Sequence, residues 1–218
     1  MLTNKKRVFW EAFLLTTVIF ILGILLGVAF ESRRSSNLED YYTQSEIVST
    51  DLFVLNNLVD LDSSNCEDLI QASFDFANRI YSEALLLEKY EDSGKITEKI
   101  RLTHRKYDLL RTFLWINAEK TKNKCGEDFD TVIYLYEYNP KNLVQKANQN
   151  VWSKVLGDLK EAKGDSVLLI PIAINSDLIS LQAKINSLNI TKYPAVVIND
   201  KDILLGIDSV SDLESYLI

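Results

Sequence analysis

Three side chains in this sequence have types suited to thiol, nucleophilic or metal chemistry: Cys66, Cys125 and His104, its only cysteines and its only histidine. Zinc sites draw three or four ligands from Cys, His and carboxylate, so this set points to no metal centre. The two cysteines lie far apart, unlike the C-x-x-C spacing that tunes one thiol for exchange. His104 falls in "RLTHRKYD", a charged helical stretch, and reads as a solvated surface residue. Neither G-x-G-x-x-G nor G-x-x-x-x-G-K-[ST] occurs, so no phosphate loop and no nucleotide cofactor are indicated. A net charge of −7 and a pI near 4.9 argue against a nucleic-acid partner. What remains for Cys66 and Cys125 is a structural disulfide, and that needs elements that bring them together.

Those elements are two helices. "DSSN", 62–65, is a run of N-cap residues, with Glu67 and Asp68 following in the first turn. Leu69, Phe76, Ile80 and Leu87 make the apolar stripe of the helix it opens. "EDSGK", 91–95, breaks that helix at Gly94. A further helix over about 96–122 carries Ile96, Ile100, Tyr107, Leu110, Leu114 and Ala118 on one face. The pair forms an antiparallel hairpin about Ser93–Gly94. Cys66 lies about 28 residues before Gly94 and Cys125 about 31 after it, so the hairpin brings both to its open end. If the chain is exported from the reducing cytosol, they form a disulfide there; two unrelated free thiols are the alternative. Upstream, Leu38, Tyr41, Ser45, Val48, Leu52, Leu55 and Val59 alternate spacings of three and four. That is a heptad seam, packing within the chain or on a second one.

Export is indicated by residues 8–30, "VFWEAFLLTTVIFILGILLGVAF", in which Glu11 is the one charged residue. Such a helix is about 34 Å long, enough to cross a bilayer core. Lys5, Lys6 and Arg7 precede it and Phe9 and Trp10 sit at interface depth, which orients residues 1–7 as a cytoplasmic tail. A cleaved signal peptide ending near "GVA", 27–29, is the alternative, although the apolar run is longer than a usual signal core. Either reading exports the rest. Gly23 and Gly27 form a G-x-x-x-G pattern that allows two membrane helices to approach closely as a homodimer.

All three prolines lie in the last third, and the composition shifts near Cys125–Gly126. This divides the chain into 1–7, the span 8–30, a helical extracytoplasmic region 31–126 and a domain 127–218 expected to fold alone. In the last part, "TVIYLYEY", 131–138, and "SVLLIPIAIN", 166–175, read as strands. The helix 139–164 has Val144, Ala147, Val151, Val155 and Leu159 on one face. A helix over 176–188 is capped by Ser176. "AVVIN", 195–199, and "DILLG", 202–206, are strands joined by a turn at Asp200–Lys201, and a helix over 209–218 closes the chain. The order is βαβαββα, and the whole protein is α+β. The crossover helices make the first two strand connections parallel, and the tight turn makes the last pair antiparallel.

This order, with Pro194 directly before the third strand, resembles the thioredoxin-like fold. In that family an isoleucine four residues before a cis-proline is followed by a hairpin, a glycine and a terminal helix. Ile190, Pro194, the turn at 200–201, Gly206 and the Leu213–Leu217 helix match in order. The resemblance covers about 127–218. It also places the second strand at a sheet edge, where Pro171 is tolerated. The family's redox C-x-x-C follows the first strand and opens the next helix. Here that place holds Asn139, Pro140, Lys141 and Asn142, none of which can act as a thiolate, and 127–218 contains no cysteine. The resemblance therefore implies a redox-inactive domain. It also implies a groove between Asn139–Lys141 and Tyr193–Pro194 that pairs with an extended peptide; in the plainer reading Pro194 only shapes a turn. Asn189-Ile190-Thr191 is an N-glycosylation sequon, and a glycan on Asn189 would stand beside that groove.

The expectation is a single-pass membrane protein that binds or scaffolds outside the membrane and is not an enzyme. The rival readings are a thiol–disulfide oxidoreductase partner that cycles Cys66 and Cys125, and a structural oligomer held through Gly23, Gly27 and the heptad seam.

Overall fold

The computed structural model describes residues 3–60, 65–92, 98–126 and 129–217, some helical residues by their backbone alone. The chain divides into two compact units, Met1–Thr50 and Asp51–Ile218. Helix α1 is Thr3–Val59. In the first unit it contains Lys6–Phe30, a segment long and apolar enough to cross a membrane, with no part of it buried. Arg7 pairs with Glu11 at 3.0 Å, which offsets the one charge inside the apolar run. The Thr16 and Thr17 hydroxyls donate to the carbonyls of Ala12 and Phe13, so neither is left bare.

In the second unit α2 is Cys66–Asp92 and α3 is Glu98–Cys125. Asn65 opens α2: its side-chain oxygen accepts the Glu67 N–H at 3.2 Å, and its carbonyl accepts from Leu69. Leu69, Phe76 and Ile80 of α2 and Tyr107, Leu110, Leu114 and Ala118 of α3 are buried, as their spacing requires. The turn at Ser93–Gly94 and the side chains of Leu87 and Ile96 lie outside the described residues, as do the side chains at 38, 41, 45, 48 and 52 of the heptad seam. Cys66 and Cys125 are joined in a disulfide, with Cα atoms 5.4 Å apart. Beside it, Lys124 Nζ donates to the Val59 carbonyl at 2.9 Å, capping the end of α1, and Lys120 reaches Asp60 at 3.2 Å.

The sheet has four strands: β1 (Asp130–Tyr136), β2 (Val167–Ala173), β3 (Ala195–Ile198) and β4 (Asp202–Leu204). Their order is β2-β1-β3-β4. Helices α4 (Leu143–Lys163), α5 (Ile179–Ser187) and α6 (Val210–Glu214) connect or follow them. The edge position of β2 accommodates Pro171, which pairs with Tyr134 in the register. β1 and β2 are parallel, as expected across α4. The second expected parallel connection is corrected: β3 runs antiparallel to β1, and hence opposite to β2. Nine-residue α5 is about 14 Å long, too short to carry the chain back along a seven-residue strand of about 23 Å. The chain re-enters the sheet at the end it left.

Period-two alternation sends Val132, Tyr134, Val196 and Ile198 to one face, where they pack with Trp152, Leu156 and Leu159 of α4 and Leu213 of α6. Ile133, Leu135, Ile170, Ile172 and Val197 point to the other face and are 1% exposed or less. That second face is covered by the hairpin and α5, since α2 and α3 pack on β2, α3 on β1 and α5 on α3. The composition boundary at 126/127 thus falls inside one compact unit, and the helices supply half of the sheet's cover.

Three local expectations are corrected. On α4, Val144, Ala147 and Val151 are exposed, and the buried line is Gln149, Trp152, Leu156 and Leu159 with Val155 at its margin. Buried Gln149 and Trp152 stand on either side of exposed Val151, so the buried stripe is turned about one residue round the helix from the expected one. Ser176 does not cap α5: Leu178 holds that position, and the Ser176 hydroxyl donates to the Ala173 carbonyl at 2.8 Å. The β3–β4 turn is centred one residue earlier than expected. Asn199 and Asp200 have φ of 52° and 56°, and Lys201 N–H returns to Ile198 O at 3.0 Å. That is the I′ geometry that suits a two-residue hairpin.

Candidate functional site

Strand β1 lies between β2, to which it is parallel, and β3, to which it is antiparallel. Leu135 pairs with Ala195, so the segment leaving β1 and the segment entering β3 lie at the same end of neighbouring strands. Asn139–Lys141 and Tyr193–Pro194 are therefore brought to one end of the sheet. The Tyr193–Pro194 bond is cis.

Each segment is held by its own hydrogen bonds. Beyond β1, the Tyr138 N–H donates to Asn175 Oδ1 at 2.8 Å, and Asn175 Nδ2 donates to Tyr138 O at 2.9 Å. One side chain thus clasps the ends of β1 and β2 where the ladder stops. Asn139 takes a left-handed φ of 50°, which Asn tolerates. Asn142, at φ −81° and ψ 119°, is the N-cap of α4, and its oxygen accepts from the N–H groups of Val144 at 2.9 Å and Gln145 at 3.3 Å. The four-residue "NPKN" is thus a turn ending in a cap, and the helix opens at Asn142. On the other side, Pro194 is buried and Tyr193 is half-buried. The Tyr193 hydroxyl donates to Ile190 O at 3.3 Å, and burial pushes its pKa up. Asn189 is exposed in the turn after α5, with φ 56°.

Helix α3 adds His104, Arg105 and Asp108 to this end of the sheet. His104 is half-buried, its ring 4.1 Å from that of Tyr138, which corrects the solvated reading. Arg105 donates to the Asp177 carbonyl at 2.6 Å. Asp108 is 1% exposed and accepts the Ala173 N–H at 3.0 Å, with Arg111 at 3.7 Å. Burial pushes its pKa from 3.8 up to about 6; the Ala173 hydrogen bond, Arg111 and Ser176 pull the other way. The sequence signal for this line was a strict spacing of seven. Asp108 reaches the end of β2 at Ala173, and Trp115 and Lys122 reach the β3–β4 turn at Asp200 and Asn199.

Gly23 and Gly27 lie exposed in the first unit, with nothing within 4 Å of an added Cβ. Cys66 and Cys125 sit at the hairpin mouth, half-buried and bonded to each other. Among the described residues no cluster of His, Cys, Asp and Glu could hold a metal ion. The end of the sheet presents backbone, amide and aromatic groups, with His104, Arg105 and Asp108 of α3 beside them. No family model, curated protein or solved structure matches the chain.

Proposed function

We propose that this protein is a membrane-anchored binding or scaffolding protein whose exported part ends in a redox-inactive thioredoxin-like domain. Its groove beside Tyr193–Pro194 pairs with an extended peptide. The observation that carries this reading is the sheet order β2-β1-β3-β4, with one parallel and two antiparallel pairings. That order puts the Asn139–Lys141 turn and Tyr193–Pro194 at one end of adjacent strands. The apolar helix Lys6–Phe30 supports the anchor. The Arg7–Glu11 pair and the basic residues before it favour a cytoplasmic N-terminus.

The test uses residues 51–218 as one unit and a library of extended peptides, with amide shifts as the readout. Binding should move the signals of Asn139–Lys141 and Tyr193–Ala195 together. Shifts confined to other surfaces, or none across the library, would overturn the reading. Alkaline extraction of membranes from the expressing cell tests the anchor: the full chain should stay in the pellet.

A further inference from the structure

We propose that the groove between α1 and α2 seats the same groove of a second copy of this chain, with the two α1 helices running parallel along residues 51–58. The open groove has a volume of about 250 Å³ and is lined by apolar Val54, Leu55, Leu58 and Phe76 and by charged Asp51, Asp75 and Arg79. Helix α1 here has more apolar surface than its own chain covers. Val59 is buried and Leu55 is half-buried, yet Val54 remains 49% exposed and Phe53 60%. A helix that is apolar on more than one stripe calls for cover on more than one side.

Charge selects the occupant. Of the residues lining the groove, Asp51 is the one on α1 furthest in sequence from the α1–α2 connection and Arg79 the one on α2 furthest from it, so both stand at the far end of the groove. A two-fold axis along α1 keeps that height in both copies and sets Asp51 of each beside Arg79 of the other, twice over. The anchor supplies the orientation, and the inference rests on that part of the reading above. Two copies held in one membrane meet parallel and at raised effective concentration.

The test uses the full-length chain in membranes. Val54→Cys is oxidised briefly and compared with Lys154→Cys on the exposed face of α4. Linked dimer should form at least about tenfold faster through position 54, since tethered thiols at a seam meet far more often. Equal rates, or linkage through position 154 alone, would overturn the dimer. In detergent, Arg79→Glu should shift the sedimenting species toward monomer, and Asp51→Arg combined with Arg79→Glu should restore the dimer. A dimer indifferent to both changes would place the contact elsewhere and also sink the proposal. Fractionation of the same samples separates the two inferences. Protein released to the soluble phase counts against the anchor, whereas membrane-bound protein that never links through position 54 counts against the dimer.

Discussion

The Trp115 indole N–H donates to the Asp200 carboxylate over 2.8 Å, tying the middle of α3 to the β3–β4 turn. Lys184 of α5 reaches the same carboxylate at 3.3 Å, stands 5.1 Å over the Trp115 ring and also pairs with Glu119. Burial pushes the Asp200 pKa up, and Lys184 draws it down. Two helices and a hairpin thus converge on one carboxylate, which joins the helical hairpin to the sheet.

Trp115→Phe keeps the ring and deletes the donor. It should cost about 1.5–3 kcal/mol, the usual worth of a hydrogen bond to a charged group, with Lys184 still on Asp200. Lys184→Met should cost at least as much, because it leaves Asp200 and Glu119 facing each other. Urea denaturation of the single and double variants should show non-additive losses, as expected for groups in one network. Strict additivity would mean that the cluster is not acting as one unit.

The Cys66–Cys125 bond closes a loop of 59 residues. In the chain-entropy model such a loop contributes about 4 kcal/mol. Reduction should lower the melting temperature of residues 51–218 and loosen the hairpin mouth first, where Lys120 and Lys124 hold the end of α1. Non-reducing peptide mapping should recover the joined 66 and 125 peptides. Two thiols that alkylate readily in protein quenched at isolation would overturn the pairing.

The disulfide was legible because hairpin register is arithmetic: two helices of similar length about one turn must bring their far ends together. The strands were legible from β-branched runs, and Pro171 from its tolerance at an edge. The direction of β3 was not, because periodicity reports which face an element buries and says nothing of the end at which it re-enters a sheet. The α4 stripe failed for a related reason. Val144 and Val151 have helical spacing, but the buried stripe runs through Gln149, Trp152 and Leu156, about one residue further round the helix, and spacing alone does not choose between two adjacent stripes. The reading of His104 as solvated takes charge for exposure, and Asp108 carries no signal of its own in the sequence. Their partners, Tyr138 and Ala173, are remote in sequence, and only the packing of α3 on the strand ends brings them close.

Asp108 gives a prediction with a definite sign. Its folded pKa, about 6, is raised above the ordinary 3.8 mainly by burial. The folded state therefore binds this proton more tightly than the unfolded chain does. The stabilisation is fully present below about pH 4 and is lost as pH rises through about 6, roughly 3 kcal/mol in all. Asp108→Asn keeps an acceptor for the Ala173 N–H and removes the titration. The variant should gain on the wild type as pH rises from about 4 to 7 in parallel urea melts. A constant difference across that range would show that Asp108 titrates normally.

The shared core predicts how the chain can be cut. Residues 127–218 alone would lose α2 and α3, which now cover much of the sheet face carrying Ile133, Leu135, Ile170, Ile172 and Val197. That fragment should be aggregated or molten, with strong binding of apolar dyes. Residues 51–218 should be monodisperse or dimeric and melt cooperatively. A cooperatively folded 127–218 fragment would restore the boundary at 126/127.

The last prediction concerns thiol chemistry. Exchange needs an accessible thiolate with a resolving thiol beside it. In this chain both cysteines are committed to one bond between helix ends, and the place that opens α4 is held by Asn142. Residues 51–218 should therefore show no turnover in an insulin-reduction assay. The same geometry predicts what a thiol at that place would do. Asn142 Oδ1 accepts the N–H groups of Val144 and Gln145 at 2.9 and 3.3 Å, and a thiolate there would meet the same two donors and the positive end of α4. Asn142→Cys should thus give a thiol whose pKa lies clearly below the ordinary value of about 8.5, read from ultraviolet thiolate absorbance against pH. An ordinary pKa would remove the electrostatic basis for likening this turn to a redox-domain helix start, and turnover by the wild type would return Cys66 and Cys125 to consideration as a working pair.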